Sequence, residues 1–156
     1  QPGRFQQGPM KLGKATILPS ICYEITYPEL SLTKDKSVNM ILTVTNDAWF
    51  GRSSAQAQHL QMAVMRSIEM GRPGLFVSND GITAIINDKG IIEQAAPDHV
   101  TFVLTGSVQP HIGLTPWMRN GLDPLLIIIF VMLFASYRSG RRTHSLDHTS
   151  AVTIKI

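Results

Sequence analysis

Hydrophobic positions fall into short, separated clusters along most of this chain and into one unbroken run near its end. Residues 1–14 are polar and rich in Gly and Pro, which reads as loop. Two strand-like runs follow, Ala15 to Leu18 and Ile21 to Ile25. The mixed segment 26–39 has room for a short helix after Pro28. Met40 to Thr45 is β-rich and apolar on both faces until Asn46-Asp47 breaks it, as expected of a strand in the middle of a covered sheet.

The period then changes. In "SSAQAQHLQMAVMRSIEMGRP", Leu60, Ala63, Val64, Ile68 and Gly71 recur at helical spacing and predict one buried face. Ser53 or Ser54 suits the N-terminal cap, and Gly71 and Pro73 stop the helix. Glu69 and Arg72, three apart, are expected to form a structural ion pair. "GLFVSNDGITAIINDKGIIEQAA" reads as strand, turn, strand, turn, strand. The turns are Asn79-Asp80-Gly81, where the glycine most simply serves the turn, and the hairpin signal Asp88-Lys89-Gly90. "HVTFVLTGSV" reads as one more strand. Strands interleaved with helix predict an α/β or α+β layer architecture.

The terminal pattern differs in kind. Leu125 to Ala135 is an unbroken apolar run of eleven residues, introduced by Asp123-Pro124, which suits a helix start. Extended from Gly121 to Tyr137, this is roughly 25 Å of helix against a hydrocarbon core of about 30 Å. A buried core helix is the alternative. The lack of a polar face, and Arg138, Arg141 and Arg142 closing the run, favour a transmembrane helix with its basic end in the cytoplasm. The tail beyond Arg142 reads as polar and unstructured.

Composition sharpens this picture only in part. The 156 residues are 44% apolar and 16% charged, greasier than the roughly 25% charged of ordinary soluble domains. A net charge of +3 is too small to indicate a nucleic-acid partner, and no basic-aromatic interleaving is present. No metal-ligand spacing or phosphate-binding glycine loop occurs, so no metal and no cofactor are expected. The single cysteine, Cys22, rules out an intrachain disulfide and a cysteine-rich zinc site.

Cys22 closes an expected strand, where a side chain projects into a cleft at the sheet's edge. A buried lone cysteine is commonly inert, so its neighbours matter. Glu24, if on a strand, points to the same face and raises the thiol's pKa unless a cation compensates. A working nucleophile there needs a base and a cation from elsewhere. His59 and His99 qualify by residue type, although each also suits packing or a surface. In "TNDAWFG", Trp49 and Phe50 follow a strand expected beside the cysteine strand and read either as a core plug or as a pocket wall.

The order "ICYE", "TNDAWFG", "QHLQMAVMRSIEMGRP", "SNDGITAIINDKGII" resembles the C-terminal half of the nitrilase superfamily. "GLTPWMRNG" followed by a hydrophobic helix and basic residues is similar to the ending of its apolipoprotein N-acyltransferase family. The resemblance runs from about Phe5 to Arg142. It implies an α-β-β-α sandwich of which this chain is the C-terminal part, over 1–120, then a transmembrane helix over 121–138 and a cytoplasmic tail over 139–156. It also implies a Glu-Lys-Cys triad with Cys22 as nucleophile, the Tyr23 backbone N–H as oxyanion donor and Glu24 in support. Trp49 and Phe50 would line the acyl site. The implied reaction takes an acyl chain from a phospholipid such as phosphatidylethanolamine, holds it as a cysteine thioester, and passes it to the N-terminal diacylglyceryl-cysteine of an apolipoprotein. The implied location is the bacterial inner membrane, with the catalytic domain in the periplasm.

The chain departs from that family in one respect. Only 21 residues precede Cys22, none of them Glu, and Lys11 and Lys14 are too close in sequence to match the family lysine. The expectation is therefore a C-terminal fragment, inactive by itself. A carbon–nitrogen hydrolase using water as acceptor, and a membrane-anchored module with an inert Cys22, remain as alternatives.

Overall fold

The computed structural model describes residues 8–31, 33–97 and 100–146, with side chains as far as Gly140. The chain divides into two compact units, residues 1–119 and 120–156. The first is built on a six-stranded sheet in sequential order: β1 (Met10–Leu12), β2 (Ala15–Ile21), β3 (Met40–Asn46), β4 (Gly74–Asn79), β5 (Ala84–Ile86) and β6 (Ile92–Ala95). β2, β3 and β4 are parallel, and the outer pairings are antiparallel. Helix α1 (Pro28–Ser31) follows β2 and α2 (Ala55–Met70) crosses from β3 to β4. The short α3 is Pro116–Asn120.

The two expected runs around Pro19 are one strand, β2, and the segment after Ile21 is a 3-10 turn, Cys22–Thr26, rather than strand. Hydrogen bonding explains why proline is tolerated. Thr16 gives its N–H to the Asn39 side chain and its carbonyl to the Asn39 N–H, so the even-numbered residues of β2 face β3. Pro19 faces the other edge, where pairing with β1 ends at Ile17, and its missing N–H removes no ladder bond.

α2 covers one face of the sheet. Leu60, Ala63 and Met70 pack with Leu18, Ile41, Phe76 and Ile86. The buried stripe also carries Gln56, His59, Arg66 and Ser67, and Ile68, expected inside, is 46% exposed. Gly71 stops the helix in the left-handed conformation, φ +59°. The expected Glu69–Arg72 pair is not formed. Glu69 pairs with Arg66 at 2.9 Å. Arg72 lies beyond the helix cap and gives hydrogen bonds to the carbonyls of Val38, Met70, Gly71 and Gly113.

The other face is apolar and open. The registers Pro19–Leu42–Leu75 and Ile21–Val44–Val77 put six apolar side chains side by side, and Ile21, Val44 and Val77 are 57%, 50% and 42% exposed. Among the described residues, the covering expected for both faces of β3 is present on one.

The Asp88-Lys89-Gly90 hairpin joins β5 to β6, with Gly90 at φ +77°. The strand expected in "HVTFVLTGSV" is absent: residues 101–110 have no regular structure. β-Rich composition makes a strand only where a neighbour offers a ladder, and the ladder ends at β6.

The second unit is dominated by α4 (Asp123–Leu146). Its apolar side chains from Leu125 to Phe134 are exposed all round. Asp123–Gly140, of mean hydropathy 1.4, is long and apolar enough to cross a membrane. The helix runs on past Arg138, where the sequence suggested a polar tail; residues 147–156 lie outside the described residues.

Candidate active site

Three parallel strands end side by side, with Ile21 opposite Val44 and Asn46 opposite Asn79. In α/β sheets this carboxyl edge is where ligands bind. Cys22 is the first residue beyond β2 there and is half-buried. Its φ is +53°, a left-handed conformation that costs a non-glycine residue about 1–3 kcal/mol and persists only where its surroundings impose it.

Two groups impose it. On the open edge of β2, the Ile21 N–H donates to Glu24 Oε2 at 2.8 Å, which folds the 3-10 turn back on the strand end. Glu24 therefore does not share a strand face with Cys22, as a strand reading required; it braces the turn that carries Cys22. On the covered side, His59 Nε2 lies 3.2 Å from the Cys22 carbonyl oxygen.

His59 sits on the buried stripe of α2, and its Nδ1 meets Asp47 Oδ1 at 2.9 Å. The two ring nitrogens thus meet a carboxylate on one side and a backbone carbonyl on the other, which ties the ring to both. Asp47 is fully buried. Its Oδ1 also accepts from the Thr45 hydroxyl at 2.9 Å, and its Oδ2 from the Ser78 hydroxyl at 3.1 Å. Gly81 leaves the space this carboxylate needs: a Cβ there would sit 2.9 Å from the Asp47 Cβ and would strike the Ser78 hydroxyl. Its role is room for Asp47 rather than a turn conformation. The imidazole packs T-shaped against the rings of Phe76 and Phe50, with centroids at 5.2 and 6.3 Å.

The structure thus brings Cys22, Tyr23 and Glu24 onto one turn, and Phe50 beside the histidine that reaches that turn. Trp49 is 83% exposed on the 3-10 turn Ala48–Phe50, so it is no core plug. His59 is committed to Asp47 and the Cys22 backbone and is not the thiol's base. His99 lies outside the described residues. Among the described residues, no three His, Cys, Asp or Glu side chains converge as a metal site. From sequence, Asp47 was read as part of a loop signal and Gly81 as a turn residue, and Ser78 was given no role; the one signal of more was the place of His59, beside the stripe member Leu60.

The chain's one thiol thus stands in a left-handed corner at the carboxyl edge of a parallel sheet. Residues 5–116 match the carbon-nitrogen hydrolase family, and the chain belongs to that family. Within it, the chain is similar to apolipoprotein N-acyltransferases. It is 39% identical over 122 residues to that of Shewanella oneidensis, covering 78% of this chain and 24% of the relative. It is 43% identical over 117 residues to that of Azotobacter vinelandii, covering 75% and 23%. The chain spans about a quarter of the length of these relatives.

Solved structures agree on the fold. A carbon-nitrogen hydrolase of Helicobacter pylori matches with a TM-score of 0.53 at 13% identity, over 62% of this chain and 41% of that one. A CN-hydrolase superfamily protein of Xanthomonas campestris matches with a TM-score of 0.50 at 16% identity, over 58% and 39%.

Proposed function

We propose that this chain is the nucleophile-bearing C-terminal part of a membrane N-acyltransferase that completes apolipoproteins. The observation that carries the reading is the presence, in one chain, of the constrained Cys22 and an exposed apolar helix α4. A water-using hydrolase needs the first and has no use for the second.

In this reading the Cys22 thiolate attacks the ester carbonyl of a phospholipid. The Tyr23 N–H takes the developing oxyanion, the lysophospholipid leaves with a proton, and the acyl chain remains as a thioester. The amine of a diacylglyceryl-cysteine then attacks the thioester, forming the amide and releasing the thiol. The open sheet face fits a second sheet supplied by an upstream half, which would also bring the base and the lysine. Full-length protein in detergent, given labelled phosphatidylethanolamine and a diacylglyceryl peptide, is expected to yield N-acylated peptide. Residues 1–156 alone are expected to yield none. Hydrolysis of simple amides without acyl transfer would overturn the reading in favour of an amidase.

Trp49 and Phe50 are placed as apolar lining for the acyl chain. Because Trp49 is exposed, Trp49→Ala is expected to leave the thermal midpoint within about 2 °C, since surface changes stay within about 0.5 kcal/mol. Transfer is expected to slow about tenfold, roughly 1.4 kcal/mol of lost transition-state contact. A large drop in midpoint with unchanged transfer by the folded fraction would remove Trp49 from the site.

α4 is placed across the inner membrane, with the sheet unit periplasmic and Arg138, Arg141 and Arg142 cytoplasmic. An arginine at the bilayer centre costs about 2.5–3.5 kcal/mol on the insertion scale, so the basic end stays out. A reporter fused after Arg142 is expected to be active only in the cytoplasm. Periplasmic activity reverses the topology, and carbonate extraction of the protein removes the span.

A further inference from the structure

We propose that His59 and Asp47 are a positioning pair for the oxyanion donor, acting through the peptide bond between Cys22 and Tyr23. The inference rests on the reading of Cys22 as nucleophile and the Tyr23 N–H as donor, and adds what aims that N–H.

The Cys22 carbonyl and the Tyr23 N–H are the two ends of one planar group. That peptide is trans, so the N–H points opposite to the carbonyl, and whatever fixes one fixes the other. His59 Nε2, 3.2 Å from the carbonyl oxygen, fixes it. A donor on the carbonyl also polarises the amide and makes its N–H a stronger donor. The histidine cannot swing away. Its Nδ1 is held 2.9 Å from Asp47, and Phe50 and Phe76 pack T-shaped against its ring. Asp47 is held in turn by Thr45 and Ser78, beneath a glycine with no room for a methyl group. The left-handed φ of Cys22 needs such an anchor, because the peptide that follows it would otherwise relax toward a common conformation. The chain of contacts runs from the ends of β3 and β4, through the first turns of α2, to the end of β2.

The test separates aiming the oxyanion donor from merely holding the fold. Full-length protein in detergent is examined as wild type, His59→Ala, His59→Gln and Asp47→Asn. Two reactions of Cys22 are timed: alkylation by iodoacetamide, which forms no oxyanion, and acylation by a p-nitrophenyl ester, read as the burst of nitrophenolate. His59→Ala is expected to slow acylation about 10²-fold, the scale of losing one oxyanion donor, while alkylation stays within about twofold. Asp47→Asn is expected to slow acylation about tenfold. His59→Gln, whose amide N–H can reach the same carbonyl, is expected to recover part of the rate. Acylation that is unchanged in His59→Ala, or that falls only in step with alkylation and is not recovered in His59→Gln, overturns the proposal. A wild type acylated by the nitrophenyl ester but not by phospholipid overturns the acyltransferase reading and leaves the positioning pair standing. A Cys22 acylated by neither overturns both.

Discussion

Full-length protein carrying Cys22→Ala is expected to form no hydroxylamine-sensitive adduct with labelled phospholipid, and its transfer rate is expected to fall by about 10⁴-fold or more, as when other covalent enzymes lose their nucleophile. Alanine keeps the backbone geometry within reach of the same two anchors, Glu24 on the Ile21 N–H and His59 on the residue 22 carbonyl, because neither touches the sulfur. The loss is therefore chemical and not structural, and the thermal midpoint is expected to move little. Cys22→Ser keeps the size but puts a hydroxyl in place of a thiolate, and its rate is expected to lie near that of alanine. An adduct of wild-type yield in Cys22→Ala would place the acyl group on another residue and withdraw the mechanism.

What the sequence made legible follows from how local each signal is. β3 and α2 are written in contiguous period and punctuation: Met40 to Asn46 ends at a polar pair, and Ala55 to Met70 ends at a glycine that takes the left-handed conformation. The place of Cys22 was legible as that of the only cysteine, at a strand end. Three misreadings share one cause, which is that spacing along the chain does not show where the backbone turns. Pro19 looked like a strand break because which edge its missing N–H faces is decided by Asn39, twenty residues on. Glu69 and Arg72 looked like helix neighbours, but Gly71 ends the helix between them and sends Arg72 inward. Glu24 looked like a strand neighbour of Cys22, but its own bond to the Ile21 N–H makes the turn that ends the strand. The Asp47–His59 contact joins residues twelve apart on a strand end and a helix, and only the packing of α2 on the sheet brings them together. The open sheet face was foreshadowed by the two-sided apolarity of β3, whose second side finds no cover among the described residues.

Arg72→Met is expected to lower the thermal midpoint of the full-length protein by about 10 °C while leaving the chemistry of Cys22 intact below that midpoint. Arg72 is 2% exposed. Its Nε donates to Val38 at 2.7 Å, one terminal nitrogen to Met70 and Gly71, both at 3.1 Å, and the other to Gly113 at 2.6 Å. Two of these carbonyls belong to the C-terminal end of α2, where the helix dipole favours a cation, so the acceptors are dipoles and none of these contacts is with a carboxylate. Burial pulls its pKa below the ordinary guanidinium value, but the residue remains a cation at any pH the protein meets. Methionine fills the stem's volume and supplies no donor, leaving the buried carbonyls of Val38 and Met70 and the partly buried ones of Gly71 and Gly113 to find water or go unpaired. Unpaired groups cost about 1–3 kcal/mol each, and partial relaxation brings the total to about 3–5 kcal/mol, which sets the size of the shift. Arg72→Lys keeps the charge but concentrates it at one nitrogen, which cannot reach acceptors spread over β3, α2 and the 113 segment, so about half of the shift is expected to remain. Val38 precedes β3 and Pro73 precedes β4, which puts Arg72 at the amino edge of the sheet, opposite the edge that carries Cys22. Iodoacetamide alkylation of Cys22 in Arg72→Met, measured well below the midpoint, is therefore expected to match wild type. An unchanged midpoint would show that water already serves those carbonyls. Slowed alkylation with an unchanged midpoint would show that the two edges of the sheet are coupled and would tie Arg72 to the site.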